Sequence, residues 1–444
     1  MKLTTTGLAI ITALLMHLHS ISPALADHTR DLNDSSSAGF SLQLVAIPDG
    51  RPDHGVRRGS DGFLYLQRST SAANLSSVLP AAYRPSAVTV QVGTGNGKRE
   101  LTLKVSTTSP LTWLQCKPCS PMAPQTHPLF DPAASPTYHA FTSASPRCPQ
   151  PPYQHEPGTG LCAFHLAGEA SASGYLSTDH FRINSGGVDP FYAFGCAHFT
   201  DKFHNGGTAA GVLSVSRAPA SIATQATARG LTSFSYCLSG ETKTRRGGFL
   251  RFGADVPSDP RYRSTRILPP ALGAHDSAYY VSLVGVSVGE RRLAGIRPEM
   301  FGHGGGGCIV DIGAPVTELV ESAYRIVEEA MWSGLERRGA ERLVEQGRYG
   351  LCVRATAAVR GHLPSLSLHF CGEDDATLLI SPEQLFLMVD DERAGQVACL
   401  ALVPGRRTVI GALQQVDTRF VFDLKDNKLS FAPESCVQNT MRVA

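Results

Sequence analysis

The chain has 444 residues, of which 42% are hydrophobic and 18% are charged, and its formal net charge is +2. This length exceeds that of an ordinary single domain and is sufficient for two packed cores. The near-zero charge excludes the strongly basic field of a protein that binds nucleic acid or a membrane surface. Abundant glycine (43) and proline (29), with few stretches of helical periodicity, predict a mainly β protein with many turns.

The first 26 residues have the pattern of a secretory signal peptide. Lys2 precedes an apolar run over residues 7–16, and an Ala-Leu-Ala cleavage site ends at residue 26. The apolar run is too short for a membrane-spanning helix. We therefore expect a protein that is secreted to the extracellular space or reaches the vacuole through the secretory pathway, with no membrane attachment.

Residues 27–85 are polar and poorly periodic, apart from an alternating apolar piece that begins at Phe40. Such a segment between a signal peptide and the first dense strand pattern is typical of a pro-segment or linker. Asn33 and Asn74 each begin an Asn-x-Ser sequon, so the sequence predicts N-glycosylation at both.

From Ser86 onwards the sequence alternates between apolar and polar residues, as expected for β-strands. Residues 87–92 and 98–105 predict a hairpin around a glycine-rich loop. Further apolar segments follow, together with one short helix predicted over residues 221–231. We expect an N-terminal β lobe over residues 86–253.

The second half is predicted to begin after a proline-containing connection over residues 254–275. Several apolar strand patterns then predict a C-terminal β lobe over residues 276–440. The clearest amphipathic helix of the chain is predicted within it, over residues 321–338.

Two stretches, one in each half, share a pattern: LKVSTTSPLT at 103–112 and GGGGCIVDIGAPVT at 304–317. In the second stretch an apolar strand is followed by Asp-x-Gly, which places Asp311 at a strand end where Gly313 permits a tight reversal. An aspartate in this position is also typical of a solvated or turn-forming residue. Ser106 falls where Asp311 falls, so the sequence predicts two related lobes that each deliver one loop, only one of which carries an acid.

Six short motifs follow one another along the chain. They are LTWLQCKPC (111–119), FGC (194–196), FSYCL (234–238), YYVSLVGVSVG (279–289), VIG (409–411) and FAP (431–433). In this order, from about residue 39 to 436, they resemble the pepsin-like aspartic proteases (peptidase A1), specifically the secreted nepenthesin-like plant branch. The resemblance implies a mainly β, bilobal fold with a cleft between two β-rich lobes. It also implies a monomer that binds a peptide or protein in that cleft and needs no cofactor or metal.

In this family one aspartate from each lobe contributes to a dyad that shares a proton and activates a water molecule. The resemblance makes Asp311 the retained catalytic aspartate and Ser106 the position of the lost one. Thr108 replaces a glycine of the first loop, and we expect it to alter the backbone there. Ile312 replaces a hydroxyl residue that bonds to the opposite lobe. The dyad is therefore incomplete, and the resemblance implies weak or absent peptidase activity.

The flap that covers the substrate in this family carries a tyrosine, and the matching stretch here is Leu166–Ser171. It contains Gly168 and Glu169 but no tyrosine. Trp113, which would pack behind the flap tyrosine, is retained. The resemblance assigns Trp113, Gly168, Glu169 and Gly313 to the cleft and flap.

Two functions are compatible with this resemblance. In the first, the cleft binds a peptide or another protein, as in proteins of this fold that inhibit secreted glycosidases. In the second, the protein is an active aspartic endopeptidase that hydrolyses proteins at acidic pH with Asp311 and a recruited second carboxylate such as Glu169. The degraded dyad favours the first.

The chain has 11 cysteines, as expected for an oxidising compartment. A zinc site at Cys116 and Cys119 is disfavoured, because no second ligand pair of the required spacing exists. The resemblance implies four disulfides and leaves Cys196, Cys308 and Cys371 over. The implied pairs are Cys116 with Cys119, Cys148 with Cys162, Cys237 with Cys436, and Cys352 with Cys399.

Overall fold

The computed structural model describes residues 39–47, 57–67, 86–146, 148, 153–167, 171–182, 190–203, 207–240, 246–270, 276–302, 306–343, 350–372, 376–391 and 395–436. The predicted signal peptide and the sequons at Asn33 and Asn74 lie outside these residues, as do Gly168 and Glu169 of the flap stretch.

Fourteen strands lie before the predicted connection between the halves. They are β1 Gly39–Ala46, β2 Arg57–Arg58, β3 Leu64–Gln67, β4 Ser86–Val92, β5 Arg99–Ser106, β6 Trp113–Gln115, β7 His139–Ala140, β8 Tyr153–His155, β9 Cys162–Leu166, β10 Ser171–Arg182, β11 Phe191–Asp201, β12 Gly211–Ser214, β13 Ser233–Leu238 and β14 Arg246–Gly253. Helix α1, Ile222–Thr227, lies among them, and Ser221 caps it by accepting a hydrogen bond from the Thr224 backbone N–H.

The rest of the chain is also mainly β. Its strands are β15 Arg263–Leu268, β16 Tyr279–Val281, β17 Leu283–Val288, β18 Arg291–Arg292, β19 Cys308–Val310, β20 Thr317–Val320, β21 Arg342–Leu343, β22 Cys352–Arg354, β23 Leu366–Phe370, β24 Thr377–Ile380, β25 Phe386–Asp391, β26 Gly395–Leu400, β27 Leu402–Gly405, β28 Thr408–Ile410, β29 Thr418–Asp423 and β30 Lys428–Pro433. The helices are α2 Glu321–Glu336, α3 Ala357–Arg360 and α4 Pro382–Leu385, and short 3-10 helices span Gly95–Gly97, Pro132–Ala134, Pro298–Phe301 and Ala412–Gln415.

The hairpin predicted from the alternating pattern is confirmed. Strands β4 and β5 pair antiparallel, with Val92 opposite Arg99. Every second residue of β5 is buried, beginning at Leu101 and ending at Val105. This inward row fixes the register of β5, and the strand ends at Ser106, the first residue of the candidate site.

Strands from both halves join in one network of 20 strands, accompanied by a six-stranded and a four-stranded sheet. The two halves meet where β13 pairs antiparallel with β29. At this junction the rings of Phe234 and Phe422 stack with their centroids 4.7 Å apart and almost parallel. The mainly β, bilobal fold expected from the sequence is confirmed.

Part of the predicted pro-segment or linker, residues 27–85, belongs to the folded body. Strand β1 pairs antiparallel with β14, with Phe40 opposite Phe252, and strand β3 pairs parallel with β25. Phe40, Leu42 and Leu44 are buried, so the alternating piece noted in the sequence is an inward-facing strand. The apolar row of β1 thus completes a sheet formed by distant residues.

The predicted connection over residues 254–275 likewise contains a strand. Strand β15 pairs with β30 on one side and with β16 on the other. Thr265 and Ile267 are buried on its inner face. The prolines that suggested an irregular connection stand at positions outside this strand, where they remove no ladder hydrogen bond.

Helix α2 is the predicted amphipathic helix, and it ends at Glu336, two residues earlier than expected. Its buried residues recur every three or four positions, which is the spacing of one helical face. They are Ala323, Tyr324, Val327, Ala330, Met331 and Leu335.

The expected disulfide between Cys116 and Cys119 is wrong, because Cys116 pairs with Cys196 instead. Strands β6 and β11 run parallel with Leu114 opposite Cys196. This register brings the Cα atoms of Cys116 and Cys196 to within 5.5 Å of each other. Cys119 is free, as are Cys308 and Cys371. The other three expected disulfides are present: Cys148–Cys162, Cys237–Cys436 and Cys352–Cys399.

Candidate active site

The two candidate loops are built in the same way. Strand β5 runs parallel to β12, and strand β19 runs parallel to β28. In the first half the Ser214 backbone N–H donates to the Thr112 hydroxyl at 3.0 Å. In the second half the Gly411 backbone N–H donates to the Thr317 hydroxyl, also at 3.0 Å. The repeated pattern noted in the sequence therefore corresponds to a repeated structure.

The fully buried Thr107 joins the two loops. Its hydroxyl accepts a hydrogen bond from the Ile312 backbone N–H at 3.2 Å. The same hydroxyl lies 3.2 Å from the Val310 carbonyl oxygen and 3.2 Å from Asp311 Oδ1, to either of which it can donate its single proton. The loop that carries Ser106 and the loop that carries Asp311 are thus in direct contact.

Asp311 begins the second loop, just beyond the end of β19. Its Oδ1 accepts a hydrogen bond from the Gly313 backbone N–H at 2.8 Å, and its Oδ2 accepts one from the Thr108 hydroxyl at 3.4 Å. Desolvation raises the pKa of this carboxyl group above its ordinary value, although the hydrogen bonds to Gly313 and Thr107 act in the opposite direction. The surroundings therefore favour a protonated Asp311 over a wider pH range than is usual for an aspartate.

Among the described residues, the charged side chain with the largest effect on Asp311 is a basic one, Arg407, whose positive charge lowers the pKa of Asp311. Arg407 is held in place by Asp276, at 3.1 Å. The Tyr280 hydroxyl donates to the same Asp276 oxygen at 2.6 Å. In an aspartic dyad the main charged neighbour is a second carboxylate, which raises the pKa by like-charge repulsion. Asp311 differs from such a dyad aspartate, because the described charged neighbour, Arg407, is basic and lowers its pKa.

Ser106 occupies the corresponding place in the first loop. Its Oγ accepts hydrogen bonds from the backbone N–H groups of Thr108, at 3.2 Å, and Ser109, at 3.0 Å. These two bonds occupy both lone pairs of the hydroxyl. Among the described residues no histidine or lysine side chain donates to Ser106 or accepts from it. A neutral hydroxyl held in this way supports the turn and cannot act as a base.

A cluster of serines ties the first loop down, and sequence reasoning missed its role. The hydroxyls of Ser214 and Ser216 each donate to the Ser109 carbonyl oxygen at 2.7 Å. Ser214 corresponds to Gly411 of the second half. At Gly411 an added Cβ would lie 2.2 Å from the Val316 carbonyl carbon, so no side chain fits there. The serine at 214 shows that the two loops are no longer packed alike.

The expectation that Thr108 alters the turn is not supported by the backbone. Thr108 and Gly313 both donate their N–H to the side chain two residues earlier, Ser106 and Asp311 respectively. Neither residue has a positive φ angle. A threonine can therefore adopt this turn, and the glycine at 313 is not required for left-handed backbone. The Thr108 side chain instead adds a hydroxyl beside Asp311.

Gln415 holds the second loop through backbone contacts, and no sequence pattern pointed to this role. The Tyr236 hydroxyl donates to Gln415 Oε1 at 2.6 Å. Gln415 Nε2 donates to the Ile410 carbonyl oxygen at 2.7 Å and lies 3.3 Å from that of Asp311. Gln415 and Tyr236 are fully buried. This link fixes the strand end that carries Asp311.

Trp113, predicted to lie behind the flap, is buried in the first half. Its ring meets that of Phe203 edge to face, with centroids 4.8 Å apart. Strands β9 and β10 pair as the two arms of the flap hairpin, with Leu166 opposite Ala172. Trp113 therefore supports the first half from within, and the tip of the hairpin lies outside the described residues.

As far as the described residues show, the site offers one carboxylate surrounded by hydroxyls from Ser106, Thr107 and Thr108. Within the described part of the chain, no group of three His, Cys, Asp or Glu side chains is placed to hold a metal ion. The described residues also include no helix long and apolar enough to cross a membrane. Such a site can bind polar groups of a ligand through hydrogen bonds.

Two β-rich lobes that each bring a strand-end loop to a common centre define the class of pepsin-like proteins. Comparison with known proteins agrees. The family models described as "Xylanase inhibitor N-terminal" and "Xylanase inhibitor C-terminal" match residues 88–254 and 278–433. Aspartyl protease family protein 2 of Arabidopsis thaliana is 29% identical over 355 residues, which cover 78% of this chain and 70% of that protein.

Aspartic proteinase nepenthesin-2 of Nepenthes gracilis is 27% identical and is covered over 97% of both chains. Among solved structures, edgp superposes with a TM-score of 0.63 at 18% identity, covering 90% of this chain and 97% of that one. The chain belongs to the plant branch of the pepsin-like aspartic protease family.

Proposed function

We propose that this protein acts in the secretory pathway or outside the cell by binding a peptide or protein in the cleft between its lobes, with weak or absent peptidase activity. The observation that carries the proposal is the geometry of Ser106. This residue stands where the family has its first catalytic aspartate, and its hydroxyl accepts two backbone hydrogen bonds. Among the described residues of the two loops, only Asp311 carries a carboxylate.

The reaction of an aspartic protease needs two carboxylates with different protonation states. One takes a proton from the attacking water, and the other donates a hydrogen bond to the scissile carbonyl. Asp311 can fill one of these roles at a time. Removal of one member of such a catalytic unit lowers the rate by about 10⁴-fold or more, by analogy with other hydrolases.

The binding part of the proposal rests on the contacts that hold the two loops of the site in place. The two loops remain in contact through Thr107, and the Tyr236–Gln415 pair holds the second loop. The turns around Ser106 and Asp311 are both closed by hydrogen bonds. A centre that is fully hydrogen-bonded and partly accessible suits ligand binding better than a collapsed one would. The disulfides are consistent with an oxidising, extracellular or vacuolar setting.

The peptidase part is tested with an unfolded protein substrate at mildly acidic pH, with and without pepstatin. We expect the natural protein to show no pepstatin-sensitive cleavage, and Asp311→Ala to leave the background rate unchanged. Pepstatin-sensitive cleavage that Asp311→Ala abolishes would contradict the proposal. The endopeptidase alternative would then be tested with Glu169→Gln, which removes the carboxylate that the flap could contribute.

The binding part is tested separately by selecting peptides from a random library on the immobilised natural protein. Selected peptides should lose affinity for Thr108→Trp, which adds bulk beside Asp311, and should keep it for a bulky substitution at an exposed distant position, Leu379→Trp. Equal binding to both variants, or no enrichment by the natural protein, would contradict a ligand-binding cleft.

A further inference from the structure

An open groove in the second half of the molecule is lined, among the described residues, by four basic side chains and by no acidic one. Its volume is about 580 Å³, and the basic residues are Arg291, Arg337, Arg338 and His362. None of its lining residues belongs to the loops around Ser106 and Asp311. The groove is therefore a separate feature that the proposed function does not use.

Three different elements bring these residues together. Arg291 begins strand β18, Arg337 and Arg338 directly follow helix α2, and His362 follows helix α3. The ring of His362 is held by its Nδ1, which lies 2.7 Å from the Ala358 carbonyl oxygen.

The three guanidinium groups of the groove make no hydrogen bond or ion pair with any residue that the structure describes. Arginines outside the groove are paired: Arg325 with Glu321 at 2.5 Å, and Arg342 with Glu328 at 2.7 Å. Positive charges that share a groove repel each other, and an anion bound between them would remove that cost.

A structural explanation accounts for only part of this arrangement. Basic residues after the end of a helix interact favourably with its partial negative charge, which suits Arg337 and Arg338. This effect does not explain why Arg291 and His362, from other elements, line the same groove.

The groove chemistry indicates the kind of ligand. Arginine presents a planar fork of donors that matches the oxygens of carboxylate and phosphate groups. Val288, Ala330 and Pro364 form apolar parts of the wall, against which a carbon skeleton can pack. The volume falls in the range of small-molecule sites, roughly 300–1,000 Å³. We propose that this groove binds a small organic anion that carries two or more carboxylate or phosphate groups.

The test is isothermal titration calorimetry on the purified protein with two probes, citrate and myo-inositol hexakisphosphate, and with neutral myo-inositol as the control ligand. We expect at least one anion to bind, myo-inositol not to bind, and affinity to fall with added salt. Binding of citrate identifies carboxylates as the recognised groups, and binding of the hexakisphosphate alone identifies phosphates.

The groove variant Arg291→Gln/Arg337→Gln should bind the anion at least tenfold more weakly. The matched control, Arg325→Gln/Arg354→Gln, removes the same charge from ion-paired arginines elsewhere and should stay within twofold of the natural protein. Equal loss in both variants would show a general charge effect and overturn the proposal, as would absence of binding by the natural protein. If the groove variant does not fold, as judged by its thermal melting curve, Arg338→Gln alone replaces it.

This test is independent of the cleft. Thr108→Trp, which adds bulk beside Asp311, should bind the anion as tightly as the natural protein does. Loss of anion binding in that variant would place the anion at the candidate active site and overturn the groove proposal.

Discussion

Thr107 and Ile312 occupy equivalent positions in the two loops, and only Thr107 carries a hydroxyl. That hydroxyl accepts a hydrogen bond from the Ile312 backbone N–H at 3.2 Å. The buried Ile312 side chain is apolar and carries no hydrogen-bonding group. At this pair of positions the first loop alone supplies a hydroxyl. It holds the two loops of the candidate site together.

Replacing Thr107 by valine should destabilise the protein by about 1–3 kcal/mol. The substitution keeps the shape of the side chain but removes the acceptor of the Ile312 N–H inside a buried site. Thr107→Ser keeps the hydroxyl and should cost less. Denaturant unfolding of the three proteins measures this order, and a valine variant as stable as the serine variant would show that the cross-loop bond contributes nothing.

Gly411→Ala should be more damaging than Ser214→Ala, although the two positions are equivalent. A Cβ at 411 would lie 2.2 Å from the Val316 carbonyl carbon, so backbone must shift, at a cost of at least about 2 kcal/mol. Ser214→Ala removes the hydroxyl that donates to the Ser109 carbonyl and accepts from the Ser216 backbone N–H, a loss of about 1–2 kcal/mol, and the Ser109 carbonyl keeps its bond from Ser216. Thermal unfolding compares them. Equal losses of stability in the two variants would contradict the different packing of the two loops.

The stability conferred by Asp311 should decrease as pH rises. Its pKa is raised in the folded protein, so the folded state binds the proton more tightly than the unfolded state does. The contribution is complete below the ordinary aspartate pKa, about 4, and is lost as pH rises through the higher folded value. The unfolding free energy of the natural protein, relative to that of Asp311→Asn, should fall over this interval.

The stability conferred by Asp276 should depend on pH in the opposite direction, so Asp276 serves as a control. The pKa of Asp276 is lowered: its desolvation would raise it, but hydrogen bonds from Tyr280 and Ala278 and the charge of Arg407 outweigh that effect. Its contribution is present above the ordinary pKa and lost as pH falls through the lower folded value. Relative to Asp276→Asn, the natural protein should lose stability on acidification. Parallel pH profiles for the two variants would contradict these assignments.

Peptide mapping without reduction should recover a linked pair of peptides that contain Cys116 and Cys196, and an unlinked Cys119. The bridge closes a loop of 80 residues, so the chain-entropy model gives it roughly 4 kcal/mol. Cys196→Ser should therefore lower the melting temperature strongly, and Cys119→Ser should not. A Cys116–Cys119 peptide would contradict the pairing.

The features that could be predicted from the sequence are those determined by neighbouring residues or by a short motif. The alternating residues of β4 and β5 encode their own hairpin, and the apolar spacing of α2 encodes its buried face. The correspondence of Ser106 with Asp311 was visible because both loops keep the flanking residues of one pattern.

The features that the sequence did not predict depend on partners far along the chain. Strand β1 lies in a segment whose sequence resembles a linker, and its strand structure depends on pairing with the distant strand β14. The disulfide partner of Cys116 is determined by the register of β6 with β11. The hydroxyl bonds from Ser214 and Ser216 to Ser109 arise only when β12 lies beside the first loop. No spacing rule reveals such contacts, because serine is common in loops of every kind.

The central claim, that Ser106 leaves the site with a single working carboxylate, is tested most directly by the binding of pepstatin, measured by calorimetry at mildly acidic pH. Pepstatin mimics the transition state and binds tightly only where the catalytic pair is complete. We expect no tight binding by the natural protein or by Ser106→Asn, which adds bulk without charge, and clear binding by Ser106→Asp. Tight binding by the natural protein would contradict the account, because a second carboxylate would then have been supplied from elsewhere in the chain.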